Sequence, residues 1–189
     1  MTTPYDPALD LRAARAQYFR DNDFGPDGGY SARWVTVTKV GPIPLGFPNS
    51  AARVEAVRFH DLHHLVTGYS TDLLGEAEIG AWEVASGCDR FLVAWVLNLL
   101  AMAYGILLGP RRVFAAFVRG RRSRNLYRTS FDDTLLDRGL GDVIGELGTG
   151  VQATPTAADR AAFVGWLALT WGTALGVPVA ALLVVVSMW

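Results

Sequence analysis

A run of 29 residues without a charged side chain, residues 161–189, constrains this chain more than any other feature of its sequence. Such a run has to be buried in a protein core or placed in lipid, because little in it favours contact with water. About 20 apolar residues are enough to cross the hydrocarbon of a bilayer. Tryptophan is typical of membrane interfaces, and the run carries Trp166, Trp171 and Trp189 near its ends. The sequence therefore predicts a C-terminal membrane helix, with a buried core helix as the alternative.

A second uncharged segment covers residues 91–109, where Asn98 is the only strongly polar side chain. It is either a second membrane span or a buried helix that lines a groove for an apolar ligand, and we favour the buried helix. Arginines without an intervening acidic residue follow this segment. They are Arg111, Arg112, Arg119, Arg121, Arg122, Arg124 and Arg128. Such a block is typical of a solvated face, and beside apolar segments it also suits anionic lipid headgroups.

Composition limits the class of protein. Hydrophobic residues make up 51% of the 189 residues and charged residues 19%, which fits a helical core with apolar segments added rather than a chain fully embedded in lipid. The net charge of -1 does not favour a nucleic-acid partner. Cys88 is the only cysteine, which excludes an internal disulfide and a cysteine-based zinc cluster. The N-terminal residues lack the pattern of a cleavable signal peptide, and we expect none.

Local patterns indicate a helical protein with three regions. Apolar periodicity and capping residues predict helices at residues 8–20, 50–67, 72–86 and 132–147. Weak alternation indicates a short strand at 34–38, and glycine and proline between 41 and 48 predict an irregular segment. We therefore expect an all-α fold. Its regions are an N-terminal extension (1–48), a helical core with a helical hairpin that carries the site (49–154) and a C-terminal membrane anchor (155–189).

Two histidines and an aspartate share one face of the predicted helix at residues 50–67. His60, Asp61 and His64 fall within an arc of roughly 100°, opposite the apolar side of the same helix. His60 and His64 are four residues apart, so that both imidazoles can reach one ion. His63 points outside this arc, and we interpret it as a pocket-wall or surface residue rather than as a ligand.

Glu76 on the next predicted helix extends the pattern. His64 lies four residues before Gly68, and Glu76 lies four residues after Asp72. In an antiparallel hairpin the two side chains are therefore at about the same distance from the turn. Two nitrogens and two carboxylates suit zinc, iron(II), manganese or cobalt, without choosing among them. Glu83 lies on the same face as Glu76. It either orients a metal-binding side chain without binding the metal itself, or is an ordinary surface or salt-bridged carboxylate.

The motif HDxxH, followed after eleven residues by a glutamate, resembles the signature of the Coq4 family of ubiquinone-biosynthesis proteins. The resemblance covers about residues 50–87 and is weaker over 90–150. It implies metal ligands at His60, Asp61, His64 and Glu76, with zinc as the usual metal. It also implies binding of a long prenyl lipid between helices, oxidative removal of the C1 carboxylate from the ring precursor of ubiquinone, and contacts with other ubiquinone-biosynthesis proteins.

The motif also allows other interpretations. HDxxH can be a variant of the zinc-peptidase motif HExxH with Asp61 as a general base, but the arm of aspartate is shorter and other peptidase landmarks are missing. A non-catalytic, lipid-binding scaffold with a structural metal stays open, because it needs the same ligands and the same apolar groove. The sequence thus predicts a metal-dependent enzyme, a lyase or oxidoreductase acting on a polyprenylated quinone precursor. We expect it at the cytoplasmic face of a bacterial inner membrane, with membrane lipid as a partner and a homodimer as an open alternative.

Overall fold

The computed structural model of the protein describes residues 3–40, 43–151 and 154–187. Within these residues the fold is mostly helical, with 8 helices and 63% of the chain in helix. One antiparallel β-hairpin precedes the second helix. The elements in chain order are α1 (Leu11–Asp21), β1 (Trp34–Val40), β2 (Ile43–Pro48), α2 (Ala51–Thr67), α3 (Leu73–Ser86), α4 (Leu92–Leu108), α5 (Pro110–Gly120), α6 (Asp133–Leu136), α7 (Leu140–Leu147) and α8 (Ala157–Ser187).

The β-hairpin corrects the expectation of an all-α fold. β1 confirms the predicted strand, whereas β2 was expected to be irregular because it contains Pro44, Gly46 and Pro48. A two-stranded ribbon consists of edge strands, and an edge strand tolerates proline where the missing N–H has no ladder bond to make. Trp34 lies opposite Pro48 in this ladder. Residues 41 and 42, which belong to the same predicted irregular segment, lie outside the described residues.

The predicted helix at residues 132–147 is divided into α6 and α7. The chain at Gly139 is extended, with φ -61° and ψ 132°, and the next residue pairs with the segment that precedes α1. There the Leu140 N–H donates to the Leu9 carbonyl at 2.8 Å. This pairing between distant parts of the chain replaces helical hydrogen bonds, which local periodicity does not reveal.

The prediction of a C-terminal membrane helix is wrong. In the part of the chain that the structure describes, no helix combines the length and apolar character that a membrane crossing requires. The first half of α8 packs on α4 and α5 instead. The Trp166 ring stacks on the Trp95 ring with centroids 5.5 Å apart and an interplanar angle of 7°, and Phe163 meets two phenylalanine rings of α5 at steep angles. Phe163 and Trp166, which were assigned to lipid, are thus partly buried against the hydrophobic core. Trp189 lies outside the described residues.

Two hydrophobic clusters form the core. The first includes Phe59 of α2 and Leu140 of α7, and the second includes Trp82 of α3 and Met102 of α4. Trp95 packs against both clusters. The uncharged segment at 91–109 forms α4, which packs against α3 and α8 in agreement with the buried-helix interpretation. Since α2 belongs to the first cluster and α3 to the second, the side chains that α2 and α3 present to each other lie where the two clusters meet.

Candidate metal centre

α2 presents the two candidate histidines from a helix with well-defined ends. Ser50 caps its N-terminus, and its Oγ accepts the Arg53 N–H at 3.2 Å. Gly68 ends the helix in the left-handed region, with φ 74°, and its N–H donates to the His64 carbonyl. The predicted helix at 50–67 is therefore confirmed. His60 and His64, one turn apart, leave the helix on the same side.

The next helix, α3, places Glu76 beside these two histidines. The Asp72 carboxylate caps this helix by accepting the N–H groups of residues 74 and 75 at 2.9 and 2.8 Å. His64 contacts Glu76, while His60, one turn nearer the start of α2, contacts both Glu76 and Glu83. This order is that of two antiparallel helices, and the predicted helical hairpin is confirmed.

Three donor groups converge on one point. His60 Nε2 lies 3.2 Å from His64 Nε2 and 3.2 Å from Glu76 Oε2, and His64 Nε2 lies 3.4 Å from Glu76 Oε1. One ligand atom from each residue lies within 4.8 Å of the other two. Two ligands that each lie about 2.0–2.1 Å from a tetrahedral zinc ion are about 3.4 Å apart. The observed separations, two of which involve different oxygens of Glu76, are close to this distance.

The hydrogen bonds behind each imidazole direct its Nε2 toward the shared centre. His60 Nδ1 lies 3.0 Å from a Glu83 oxygen, and His64 Nδ1 lies 3.0 Å from the Tyr69 carbonyl oxygen. A carboxylate and a carbonyl accept hydrogen bonds, so each Nδ1 carries the proton and donates it. Burial lowers the pKa of His60, but the carboxylates of Glu83 and Glu76 outweigh this effect and raise the pKa well above its usual value, so that in the metal-free protein the His60 Nε2–H donates to Glu76. A bound cation would take the place of this proton among the three donors.

Glu83 supports the site from behind, as one of the two sequence interpretations proposed. Its carboxylate is fully buried and accepts hydrogen bonds from His60, from His63 at 2.6 Å, from the Tyr127 hydroxyl at 2.7 Å and from the Asn98 amide. Burial alone would raise the pKa of Glu83, but the imidazoles of His60 and His63 hold that pKa well below its usual range. The ionised carboxylate therefore fixes the orientation of the His60 ring.

His63 is wholly buried, so the interpretation of this residue as a pocket-wall or surface side chain is wrong. Its Nδ1 donates to Glu83, and its Nε2 accepts the Leu126 N–H at 3.0 Å. Burial lowers the pKa of His63 more than Glu83 raises it, which favours the neutral ring that these two bonds require. His63 thus ties α2 to α3 and to the loop after α5, and it takes no place among the three converging donors.

Asp61 lies beside the three donors but outside the group that they form. Its carboxylate accepts the Tyr30 hydroxyl at 2.5 Å and lies 3.5 Å from the Tyr18 hydroxyl. The Tyr18 ring also stacks on His64, with centroids 5.6 Å apart. Burial raises the pKa of Asp61 more than the Tyr30 hydrogen bond lowers it. The structure thus brings together His60, His64 and Glu76, and the role of Asp61 as a ligand stays a prediction.

A cavity of about 560 Å³ opens beside the three donors. His60, Asp61 and Glu76 form part of its wall, and α4 contributes apolar side chains such as Leu97 and Ala101. The base of the β-hairpin forms another wall. The volume lies within the range of about 300–1,000 Å³ that is usual for small-molecule sites. The Glu76 side chain is 35% exposed, so the donor group is accessible from this space.

Three residues of this region were not found from the sequence: Asn98, Tyr127 and Arg53. Asn98 carried a signal, because a single polar residue in a long uncharged run has to find a buried partner. Arg53 also carried one, since it lies seven residues before His60 and so leaves the helix within about 20° of it. The role of Tyr127 depends on contacts across the fold and has no local signal.

These features define a mostly helical protein with a candidate three-residue metal centre beside a largely apolar cavity. No protein-family model matches the chain, and neither does any curated protein or solved structure. The resemblance to the Coq4 family therefore stays a prediction based on the HDxxH motif and Glu76.

Proposed function

We propose that the protein is a metal-dependent enzyme that acts on an apolar aromatic acid bound in the cavity. In line with the Coq4 resemblance, the proposed reaction is oxidative removal of the C1 carboxylate from a polyprenylated ring precursor of ubiquinone. One observation carries the proposal: the convergent donors of His60, His64 and Glu76 are accessible from an apolar cavity large enough for a substituted ring.

The donor set fits a divalent cation. Structural zinc sites are typically closed by four protein ligands, whereas catalytic sites combine three protein ligands with an open position. Three donors next to a cavity therefore favour an enzyme over a scaffold with a structural metal. We propose zinc because of the resemblance, although iron(II), manganese and cobalt bind the same donors. A bound cation would supply Lewis-acid polarisation of a substrate oxygen.

The chain itself contributes orientation and a dry environment. Glu83 and the Tyr69 carbonyl hold the two imidazoles so that each Nε2 points to the shared centre. Apolar residues of α4 and the base of the β-hairpin enclose the space next to this centre. A prenyl chain in contact with these walls loses contact with water, which contributes binding energy away from the reacting ring.

The proposed reaction requires a co-reactant. When dioxygen supplies the new oxygen atom, a ring carboxylic acid, dioxygen, two electrons and two protons give a ring hydroxyl group, carbon dioxide and one water molecule. The C–C bond to the carboxyl carbon breaks, and a C–O bond to the ring forms. The two electrons have to come from a reductant. We propose dioxygen and a two-electron donor as the co-reactants.

The proposed substrate determines the proposed surroundings. A polyprenylated ring partitions into membranes, so we propose that the protein works at the cytoplasmic face of a bacterial inner membrane. Leu107 and Leu108 at the end of α4 are more than half exposed and lie close in sequence to the exposed Arg111. This combination of apolar and basic side chains suits contact with anionic lipid. The other proposed partners are further ubiquinone-biosynthesis proteins.

Elemental analysis combined with a turnover assay tests the proposal. His64→Ala and Glu76→Gln each remove one donor, and both should lose bound metal and the conversion of a prenylated hydroxybenzoic acid. The control is Glu55→Gln, which neutralises an exposed glutamate of α2 that pairs with Arg90 at the surface. Full metal content in both site variants would contradict the metal centre. Substrate binding without turnover by the metal-loaded wild-type protein would favour the scaffold.

Asp61→Asn tests the fourth predicted ligand. Because Asp61 hydrogen-bonds to Tyr30 and lies outside the group of three converging donors, we expect a smaller loss of metal affinity than in Glu76→Gln. Competition with a chromophoric chelator measures both affinities. An equal loss of metal affinity in the two variants would indicate that Asp61 is a metal ligand.

A further inference from the structure

One face of α4 forms a wall of the cavity. The side chains on this face recur every three or four residues along the helix, and they are those of Ala94, Leu97, Asn98, Ala101 and Tyr104. Most of this wall is apolar, and the amide nitrogen of Asn98 already donates to the buried Glu83. Tyr104 adds a phenol hydroxyl to the wall, and the network that holds the three converging donors does not use it.

The contact between α3 and α4 determines how far along the cavity Tyr104 lies. Gly105 of α4 packs directly on Ala77 of α3, because a Cβ at Gly105 would lie only 2.2 Å from the Ala77 Cβ. The residues immediately before these two, Tyr104 and Glu76, both line the cavity. Tyr104 therefore lies at the same level of the helix pair as Glu76, one of the three converging donors.

The Tyr104 hydroxyl is available to a ligand. Its ring packs against the second hydrophobic cluster but is only partly buried, which holds the side chain in place without enclosing it. Among the residues that the structure describes, the hydroxyl has no hydrogen-bond partner, and it is not one of the fully buried polar atoms without a partner. Burial raises the pKa of Tyr104 to about 12, and the carboxylates of Glu76 and Asp72 add to this rise. At neutral pH the hydroxyl therefore carries its proton and can donate a hydrogen bond.

The acceptor that suits this hydroxyl is an anionic oxygen of a ligand. The Glu76 carboxylate does not serve, because His60 and His64 engage its two oxygens. A ligand carboxylate beside the three donors carries two oxygens, and an oxygen left without a partner among apolar side chains would be costly. A hydroxyl that donates to an ionised oxygen forms a short and strong hydrogen bond. A carboxylate at this end of the cavity and the Tyr104 hydroxyl would thus satisfy each other.

We propose that the Tyr104 hydroxyl donates a hydrogen bond to the carboxylate of the acid in the cavity, with this carboxylate next to His60, His64 and Glu76. The inference rests on the proposed function and adds a substrate-binding residue to it. Tyr104 is then a specificity-determining residue, because it recognises the group that the proposed reaction removes. When that group leaves as carbon dioxide, the ionised acceptor is lost, which favours release of the product.

Calorimetric titration of the zinc-loaded, full-length protein tests this role. The probes are a hydroxybenzoic acid with a ten-carbon prenyl chain and the same prenylated phenol without its carboxyl group, and no reductant is present, so that binding is measured without turnover. Tyr104→Phe should bind the acid at least about tenfold more weakly than wild type, because a hydrogen bond to a charged group is lost. It should bind the phenol as wild type does. Tyr5→Phe, which removes a hydroxyl outside the cavity lining, should keep the wild-type affinity for both probes.

Tyr104→Phe keeps the ring and removes only the hydroxyl, so its metal content and its urea midpoint should equal those of wild type. Equal affinities of wild type and Tyr104→Phe for the acid would overturn the inference. An equal loss for both probes would also overturn it, since the hydroxyl would then contact a part of the ligand that the probes share. An acid-specific loss, without turnover by the wild-type protein when dioxygen and a reductant are supplied, would uphold Tyr104 and reject the proposed reaction. Turnover with an unchanged acid affinity in Tyr104→Phe would do the reverse.

Discussion

At the scale of single residues, one buried carboxylate, that of Glu83, holds the side chains of the candidate site in place. Glu83 has no exposed surface and accepts hydrogen bonds from two histidines, a tyrosine and an asparagine. Burying a charge is costly unless it is paired and hydrogen-bonded, so each of these donors offsets part of the desolvation of Glu83. The same carboxylate orients His60 toward the other converging donors. Stability and metal binding are therefore linked through one side chain.

The Tyr127 hydroxyl offers a direct test of this dependence. Tyr127→Phe removes the donor that lies 2.7 Å from Glu83 and leaves the ring packing in place. We expect the free energy of unfolding to fall by roughly 1.5–3 kcal/mol, the usual range for a hydrogen bond to a charged group. Tyr104→Phe is the matched control, since no partner for its hydroxyl is found among the described residues, and it should stay within about 0.5 kcal/mol of wild type. Urea denaturation measures both, and equal effects would contradict a special role for Tyr127.

Whether the role of a site residue could be predicted depends on how far away in the sequence its partners lie. Of the four residues predicted as one group, His60, His64 and Glu76 do lie together, because helix periodicity and a short turn determine where they point. The roles of His63 and Asp61 depend instead on Leu126 and Tyr30, which reach the site from other parts of the chain. A helical wheel gives the direction of a side chain but does not give its long-range partner.

At the scale of elements, the position of the glutamates of α3 depends on the close contact between α3 and α4. Gly105 of α4 packs against Ala77 of α3, and a Cβ at Gly105 would lie 2.2 Å from the Ala77 Cβ. Gly105→Ala should therefore force the helices apart and lower the free energy of unfolding by about 1–3 kcal/mol. Gly145→Ala makes the same change in α7 at an exposed site with nothing within 4 Å, and it should raise stability by roughly 0.5–1 kcal/mol. Chemical denaturation of both variants checks these opposite signs; a neutral Gly105→Ala would show that the helix contact tolerates a methyl group.

α8 shows how an apolar segment can serve the core of a protein while resembling a membrane span in sequence. Leu167 packs on the second hydrophobic cluster, whereas Leu175 on the same helix is 67% exposed. Leu167→Ala should lower the free energy of unfolding by about 1–2 kcal/mol, because it removes apolar contacts that the rest of the core cannot replace. Leu175→Ala should change it by less than about 0.5 kcal/mol. Thermal or urea unfolding compares the pair, and equal values would contradict the docking of α8 on α4.

Capping residues explain why the ends of α2 and α3 could be predicted from the sequence. Ser50, Gly68 and Asp72 act through neighbours within a few residues, and the ends of both helices were predicted to within one residue. The β2 strand and the break between α6 and α7 were not predicted, because both depend on pairing with another segment of the chain. Hydropathy alone likewise did not distinguish a helix packed on α4 from one placed in lipid.

At the scale of the whole molecule, the candidate metal centre lies where the two hydrophobic clusters meet. His60 and His64 project from α2, which belongs to the first cluster, and Glu76 projects from α3, which belongs to the second. A cation bound to all three residues would join the two clusters by bonds that the unfolded chain lacks. Metal binding and global stability should therefore be coupled.

The last prediction follows from this coupling. Zn²⁺ at a free concentration of 100 times its dissociation constant should stabilise the chelator-treated protein by about 2.7 kcal/mol, provided that the unfolded chain does not bind it. Glu76→Gln and His64→Ala should lose most of this gain because each removes one of the three donors. Glu55→Gln should keep it, since this exposed carboxylate pairs with Arg90 away from the site. Urea denaturation with and without added Zn²⁺ measures the difference for each variant. An unchanged wild-type midpoint on metal addition, or a full gain in Glu76→Gln, would show that metal binding by the three converging donors does not stabilise the fold.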